Sequence, residues 1–189
     1  KTAVHAICNL WNKSIKVLEL PRNSNFSETI IGAAWQELES LVLPHPKQLS
    51  KQTFLNLVKS LPKSLKKLVI QNCDALDDDA LQKITNRCPE LTILDVSSCL
   101  NVTSLKKCNL ANVRELYLHG TSLGDEGFSY ICEQCRSELK VLDISNTAIT
   151  SLGKFLKLTV LDISRTKITE RGMVEAGLET LQVLRMVHT

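Results

Sequence analysis

One pattern restricts what this chain can fold into more than any other feature. The motif apolar-x-x-apolar-x-apolar occurs eight times: Ile15/Leu18/Leu20, Leu38/Leu41/Leu43, Leu65/Leu68/Ile70, Leu91/Leu94/Val96, Val113/Leu116/Leu118, Leu139/Leu142/Ile144, Leu158/Leu161/Ile163 and Leu181/Leu184/Met186. The first members are separated by 23, 27, 26, 22, 26, 19 and 23 residues. A near-constant period of this length is the mark of stacked repeats. Within each set the last two residues are two apart, so they share one face of a short strand. That face turns inward, and the residues between them turn out onto a concave surface. No single unit can bury its apolar face alone; stacking against neighbours supplies the core.

The stretches between these sets mostly carry helical spacing. Ser27-Glu28-Thr29 reads as a helix start before Ile30, Ile31, Ala34 and Trp35. Residues 51–61 place Phe54, Leu55, Val58 and Leu61 on one stripe and stop at Pro62. Asp77, Asp78 and Asp79 lead into Ala80, Leu81, Ile84 and Cys88, with Pro89 after them. Residues 124–135 carry Phe128, Ile131, Cys132 and Cys135, and residues 170–178 a short helix around Met173 and Val174. Between Thr147 and Leu158 there is room for only a turn or so. Eight residues after each first apolar position stand Asn23, Pro46, Cys73, Cys99, Thr121, Thr147, Thr166 and Thr189. A small polar side chain there is expected to turn inward and bond backbone groups of the neighbouring repeat. Pro46 cannot donate, so the turn of the second repeat is expected to be irregular. The fold class expected is an α/β solenoid: eight short parallel strands on the concave face, helices and turns on the convex one. Both ends stop inside the pattern (Val4, Ile7, Cys8 and Trp11 begin in a helical stripe). The expectation is therefore a single domain over residues 1–189 that is part of a longer chain.

Composition excludes several classes of function. At 43% hydrophobic and 23% charged over 189 residues, the chain has the make-up of a folded domain. A formal charge of +3 is too small to argue for nucleic acid or membrane partners. No apolar run reaches the length of a membrane span, and Lys1 to Leu10 lacks a charged-then-apolar leader pattern. The seven cysteines (Cys8, Cys73, Cys88, Cys99, Cys108, Cys132, Cys135) are odd in number and fall mostly where the repeat needs a small buried group. They read as reduced thiols, which places the chain in cytoplasm or nucleus. The sequons at Asn12, Asn25 and Asn101 point mildly the other way.

Candidate chemistry is sparse. Cys132-x-x-Cys135 has no second pair to complete a zinc site and lies on the apolar stripe of a repeat helix. His5, His45, His119 and His188 are dispersed. No nucleophile–base set, phosphate loop or carboxylate pair is present, so neither a catalytic residue, a cofactor nor a metal is assigned, and the chain reads as non-enzymatic. The run Lys47, Lys51, Lys59, Lys63, Lys66 and Lys67 reads as a solvated face, with a phosphate-binding patch as the alternative. The concave rows carry the functional expectation. The residue after the second core position of each set gives Glu19, Val42, Val69, Asp95, Tyr117, Asp143, Asp162 and Arg185. Two further on stand Pro21, Pro44, Gln71, Ser97, His119, Ser145, Ser164 and Val187. Candidate partner-binding residues are Asp95, Tyr117, His119, Asp143, Asp162, Arg165 and Arg185. An acidic stripe with one aromatic anchor suits a basic protein or peptide. The competing reading is that Asp-x-Ser belongs to the repeat and serves inter-strand hydrogen bonding.

The repeating unit resembles the leucine-rich repeat, and in part its cysteine-containing class. Leu76-Asp77-Asp78-Asp79-Ala80-Leu81, Cys88-Pro89-Glu90-Leu91 and the turn residues Cys73 and Cys99 carry the resemblance. Leu123-Gly124-Asp125-Glu126-Gly127-Phe128 and Ile168-Thr169-Glu170-Arg171-Gly172-Met173 match the opening of that class in later repeats, which hold Thr at the turn. The resemblance implies a horseshoe and, most often, substrate recognition for a cullin-RING ubiquitin ligase, as in receptors with an F-box or von Hippel–Lindau box. On that reading the cullin-RING components would be held through regions flanking the repeats. The alternatives it leaves are a scaffold or regulatory adaptor and, further off, a GTPase activator built on the same repeat.

Overall fold

The computed structural model describes residues 14–22, 35–46, 49–135 and 137–188. The expected N-terminal helix, most of the helix from Ser27, the sequons at Asn12 and Asn25, His5, Cys8, Lys47, and the turn positions Asn23 and Thr189 lie outside them. Eight strands form one parallel sheet in chain order: β1 Val17–Glu19, β2 Ser40–Pro44, β3 Lys67–Gln71, β4 Ile93–Asp95, β5 Glu115–Tyr117, β6 Val141–Asp143, β7 Val160–Asp162 and β8 Val183–Arg185. The register is constant. Leu18, Leu41, Leu68, Leu94, Leu116, Leu142, Leu161 and Leu184 pair successively across the sheet. The ladder continues past the strands: Ser98 N–H donates to the His119 carbonyl, Gly120 to Ser145, Asn146 to Ser164 and Arg165 to Val187.

The core lies between this sheet and the convex side, and the repeat sets fill it. Leu41, Leu68, Leu94, Leu116, Leu142 and Leu161 are each 0–1% exposed. Four expected core positions depart from this. Ile15 and Leu181 are half-buried, and Leu184 and Met186 are exposed. β8 has no strand on its far side among the described residues, and its inward face is only partly covered.

Among the described residues, four helices line the convex side: α1 Lys51–Ser60, α2 Asp78–Arg87, α3 Asp125–Gln134 and α4 Glu170–Glu175. Ser50, Asp77 and Thr169 cap three of them by accepting the backbone N–H of Thr53, Ala80 and Gly172. The N-cap position of α3 is Gly124, which has no side chain to cap with. Along α1 the buried face is Phe54, Leu57 and Val58, whereas Leu55 is only half-buried. Val174 on α4 is 83% exposed, against expectation, because the six-residue helix touches the core chiefly through Met173. The segment after Thr147 has no helix. Ile149 and Phe155 fill the space instead, and the Phe155 ring lies 6.3 Å from that of Phe128 on α3.

Two acidic clamps tie successive repeats together. Asp78, in the first turn of α2, accepts N–H bonds from Thr103 and Ser104 and the hydroxyl of Thr103. Asp125 does the same in α3 with Thr150 and Ser151. The residue two further on must be small. A Cβ on Gly127 would stand 2.6 Å from the Thr103 carbonyl oxygen, and α2 has Ala80 at the same place, fully buried.

The turn position separates into two chemistries. Cys99 donates its thiol to the Ile70 carbonyl of the preceding repeat and accepts the N–H of Cys73. It bridges repeats as expected. Thr121, Thr147 and Thr166 instead donate to Leu118, Ile144 and Ile163, three residues back in their own turns. Pro46 keeps the turn despite lacking a donor. It is buried and follows His45 in the same left-handed conformation as the equivalent residues of later repeats.

Candidate binding face

The sheet register assembles the predicted stripe. Asp95 pairs with Tyr117, Tyr117 with Asp143, Asp143 with Asp162 and Asp162 with Arg185. These side chains form one row at a strand spacing of about 4.8 Å. A second row, two residues earlier in each strand, escaped the sequence reading: Ile93, Glu115, Val141 and Val160, each half-buried. The period-two alternation that located the first row also locates this one. The face thus sets a row that is apolar except at Glu115 beside an acidic one.

Tyr117 is its centre. Its hydroxyl donates to Glu115 Oε2 at 3.0 Å. Burial pushes the Tyr117 pKa up to about 12, and Glu115, Asp95 and Asp143 push it the same way. The phenol therefore stays neutral and acts as a donor within a ring of three carboxylates. Asp95, Tyr117, His119 and Asp143 line one side of a hollow of about 340 Å³; Arg22 and His45 line the other. The hollow is mixed in charge, and the acidic character is concentrated on the Tyr117 side.

The Asp-x-Ser carboxylates take part in the hydrogen bonding of the repeat. Asp95, Asp143 and Asp162 each accept, through Oδ1, the N–H of the residue two ahead (Ser97, Ser145, Ser164), all at 2.9 Å. This is a turn within one repeat rather than a bond between strands. Asp95 Oδ2 adds an inter-strand bond from Gln71 at 2.6 Å. The carboxylates therefore brace the turn, yet remain on the concave surface.

His119, Ser145 and Asp143 form a chain. Ser145 Oγ lies 2.5 Å from Asp143 Oδ1 and 2.8 Å from His119 Nδ1. An ionised carboxylate only accepts, so the serine proton points to Asp143 and His119 Nδ1–H donates to Ser145 Oγ. The polarity is the reverse of a histidine-activated serine, and Ser145 is only 6% exposed. Arg165 and Arg185 fall at the β8 end of the face. Arg185 belongs to the first row, whereas Arg165 sits in the turn after β7 with a left-handed backbone (φ 56°).

The remaining candidates resolve into structure. Cys135 donates its thiol to the Leu110 carbonyl, and Cys88, at the equivalent place, to Pro62. Cys132 packs on Gly153, where a Cβ would lie 2.3 Å from its sulfur. Burial pushes both thiols of the Cys-x-x-Cys pair up, to about 11 for Cys132 and about 12 for Cys135. Among the described residues, no three His, Cys, Asp or Glu side chains gather where a metal could bind. The lysine run is not one surface. Lys51 pairs with Asp77 and Lys66 with Glu39; Lys67 lies on β3, and Lys59 and Lys63 lie on the convex side.

No protein-family model and no curated protein matches the chain. Solved structures do. The TLR13 chain of a TLR13–ssRNA13 complex superposes with a TM-score of 0.60 at 20% identity, covering 91% of this chain and 25% of that one. An internalin (inlF) from Listeria monocytogenes gives a TM-score of 0.55 at 19% identity, covering 96% of this chain and 44% of that one. This chain thus spans less than half the length of either. With one open parallel sheet in repeat order and these structural neighbours, the chain has the leucine-rich-repeat fold, a horseshoe solenoid.

Proposed function

We propose that the horseshoe is a non-enzymatic protein-binding module that receives a basic segment of its partner on the concave face. The observation that carries this reading is the registered pair of rows: Ile93, Val141 and Val160 beside Asp95, Tyr117, Asp143 and Asp162. Apolar contact with a central aromatic supplies affinity, and flanking carboxylates select for cations. A nucleic acid backbone fits poorly. One structural neighbour is a complex with ssRNA, but here the carboxylate row would face phosphates.

The preferred context is substrate recognition for a cullin-RING ubiquitin ligase, supported by the cysteine-class motifs from Cys73 to Cys99; the second reading is a scaffold or regulatory adaptor. A cytoplasmic or nuclear site suits both. The six described cysteines are free, and five of them are buried. Precipitating the protein from cells separates the two readings. A cullin and its adaptor in the precipitate support the receptor, and their absence leaves the adaptor. The surface is tested with the recovered partner. Asp143→Arg with Asp162→Arg is expected to weaken binding at least tenfold. Asp143→Asn with Asp162→Asn removes the charge while keeping an acceptor for the Ser145 and Ser164 N–H groups. It should weaken binding without lowering the melting temperature. Unchanged binding in both pairs sinks the acidic-stripe reading.

A further inference from the structure

The convex side holds a groove of about 770 Å³ between the C-terminal halves of α1 and α2. Its floor is apolar: Leu55, Val58 and Pro89. Lys59 and Lys63 from one repeat and Lys83 and Arg87 from the next surround it, and no carboxylate lines it. These four cations are exposed. They contrast with Lys51 and Lys66, which face outward into pairs with Asp77 and Glu39. Arg87 is also fixed in place, its Nε–H donating to the Leu61 carbonyl at the end of α1.

We propose that this groove is a second docking site, independent of the concave face, for an acidic amphipathic segment of a partner protein. An apolar side chain of the segment seats on Leu55, Val58 and Pro89, and carboxylates on either side meet the four cations. Charge complementarity selects the occupant, and two features select peptide over phosphate or nucleic acid. The groove lies at helix C-terminal ends, where carbonyls rather than N–H groups are presented, so a bare phosphate finds no backbone cradle. No aromatic residue lines it, so there is no platform on which bases could stack. The half-exposure of Leu55, out of phase with the buried face of α1, follows from the same geometry: it belongs to the groove.

A displayed library of random 16-residue peptides, panned against the chain, tests the idea. Counter-selection uses Lys59→Glu with Lys83→Glu, two exposed positions whose reversal is expected to leave the circular dichroism spectrum and melting unchanged. Surviving peptides should be acidic with interspersed Leu, Ile, Val or Phe. Fluorescence anisotropy of the best one should show at least tenfold weaker binding to the doubly reversed variant and to Leu55→Asp. Its affinity for the concave variant Asp143→Arg with Asp162→Arg should be unchanged. Three results overturn the proposal: no peptide surviving counter-selection, survivors without acidic character, or a single-stranded RNA 20-mer displacing the peptide and losing affinity with the same two lysines.

Discussion

The residue before each inward turn position is held in the left-handed region in every described repeat from the second onward. These residues are His45, Asn72, Ser98, Gly120, Asn146, Arg165 and His188, with φ from 51° to 63°. Only one of them is glycine, the residue that takes this conformation without steric cost. His45, Asn72, Ser98, Asn146 and Arg165 are held there because their N–H groups complete the ladder to the next repeat, as from Asn72 to Ser97 and from Arg165 to Val187. Each such bond offsets a backbone penalty of about 1 kcal/mol. Gly120 is therefore the sensitive position. A Cβ there would have ordinary room, 3.4 Å from Asn146 Nδ2 and 3.5 Å from Ser98 Oγ, so conformational strain is the whole effect. Gly120→Ala is expected to lower stability by about 1 kcal/mol, whereas Arg165→Gly should stay within about 0.5 kcal/mol of the parent. Urea unfolding of the two variants decides it: equal losses would mean that the turns are not strained.

At the scale of the element, the aspartate clamps join one repeat's helix to the next repeat's turn, and their chemistry sets an acid limit on stability. Burial pushes the Asp125 pKa up, but the bonds from Thr150 and Ser151 outweigh it and hold the carboxyl below its ordinary value of 3.8. Asp77 is held below the same value. Burial pushes it up, while Lys51 and the Ala80 N–H more than offset the penalty. A carboxyl with a lowered folded-state pKa binds protons more weakly than it does in the unfolded chain. Its contribution is complete above the unfolded pKa and is lost as pH falls through the lowered one. The affected window thus lies below about pH 4. Asp125→Asn keeps one acceptor oxygen but loses the charge and the second acceptor. It should cost about 1 kcal/mol at pH 7. The gap to the parent should narrow as pH falls below about 4, as the parent's own carboxyl takes up its proton. Melting temperatures from pH 7 to pH 3 provide the check, and a gap that stays constant over that range rules the clamp out as the origin of the loss.

For the molecule as a whole, the period of the sets was enough to give strand order, register and inward face, because stacking repeats leaves one arrangement for three apolar residues per unit. It also located the row from Asp95 to Arg185. It could not show how Lys59 and Lys63 meet Lys83 and Arg87, since that depends on the phase of two helices in different repeats. Nor could it show that Cys99 reaches back a repeat while Thr121 caps its own turn, a difference of side-chain reach rather than pattern. The same stacking makes stability local. Each repeat touches only its neighbours, so the horseshoe opens where a seam is weakest rather than all at once. The seam between β3 and β4 is backed by α1 and α2, ten residues each, over Phe54, Leu81 and Ile84, all fully buried. The seam between β6 and β7 has α3 before β6, but the helix-free segment with Ile149 and Phe155 stands in place of a second helix. Beyond β7 stand the six-residue α4 and the β8 end, where Leu184 is 38% and Met186 46% exposed. Opening should therefore start at β8 and run toward β6, with β3 and β4 the last to yield. Native-state hydrogen exchange measures this directly. The ladder N–H groups of Ile163 and Arg165 should exchange at least a hundredfold faster than those of Ile93 and Val96, and low denaturant should widen the gap by opening the β7–β8 end first. Uniform protection from β3 to β7 would instead mean that the horseshoe unfolds as a single cooperative unit, with the seams too strongly coupled for the missing helix to matter.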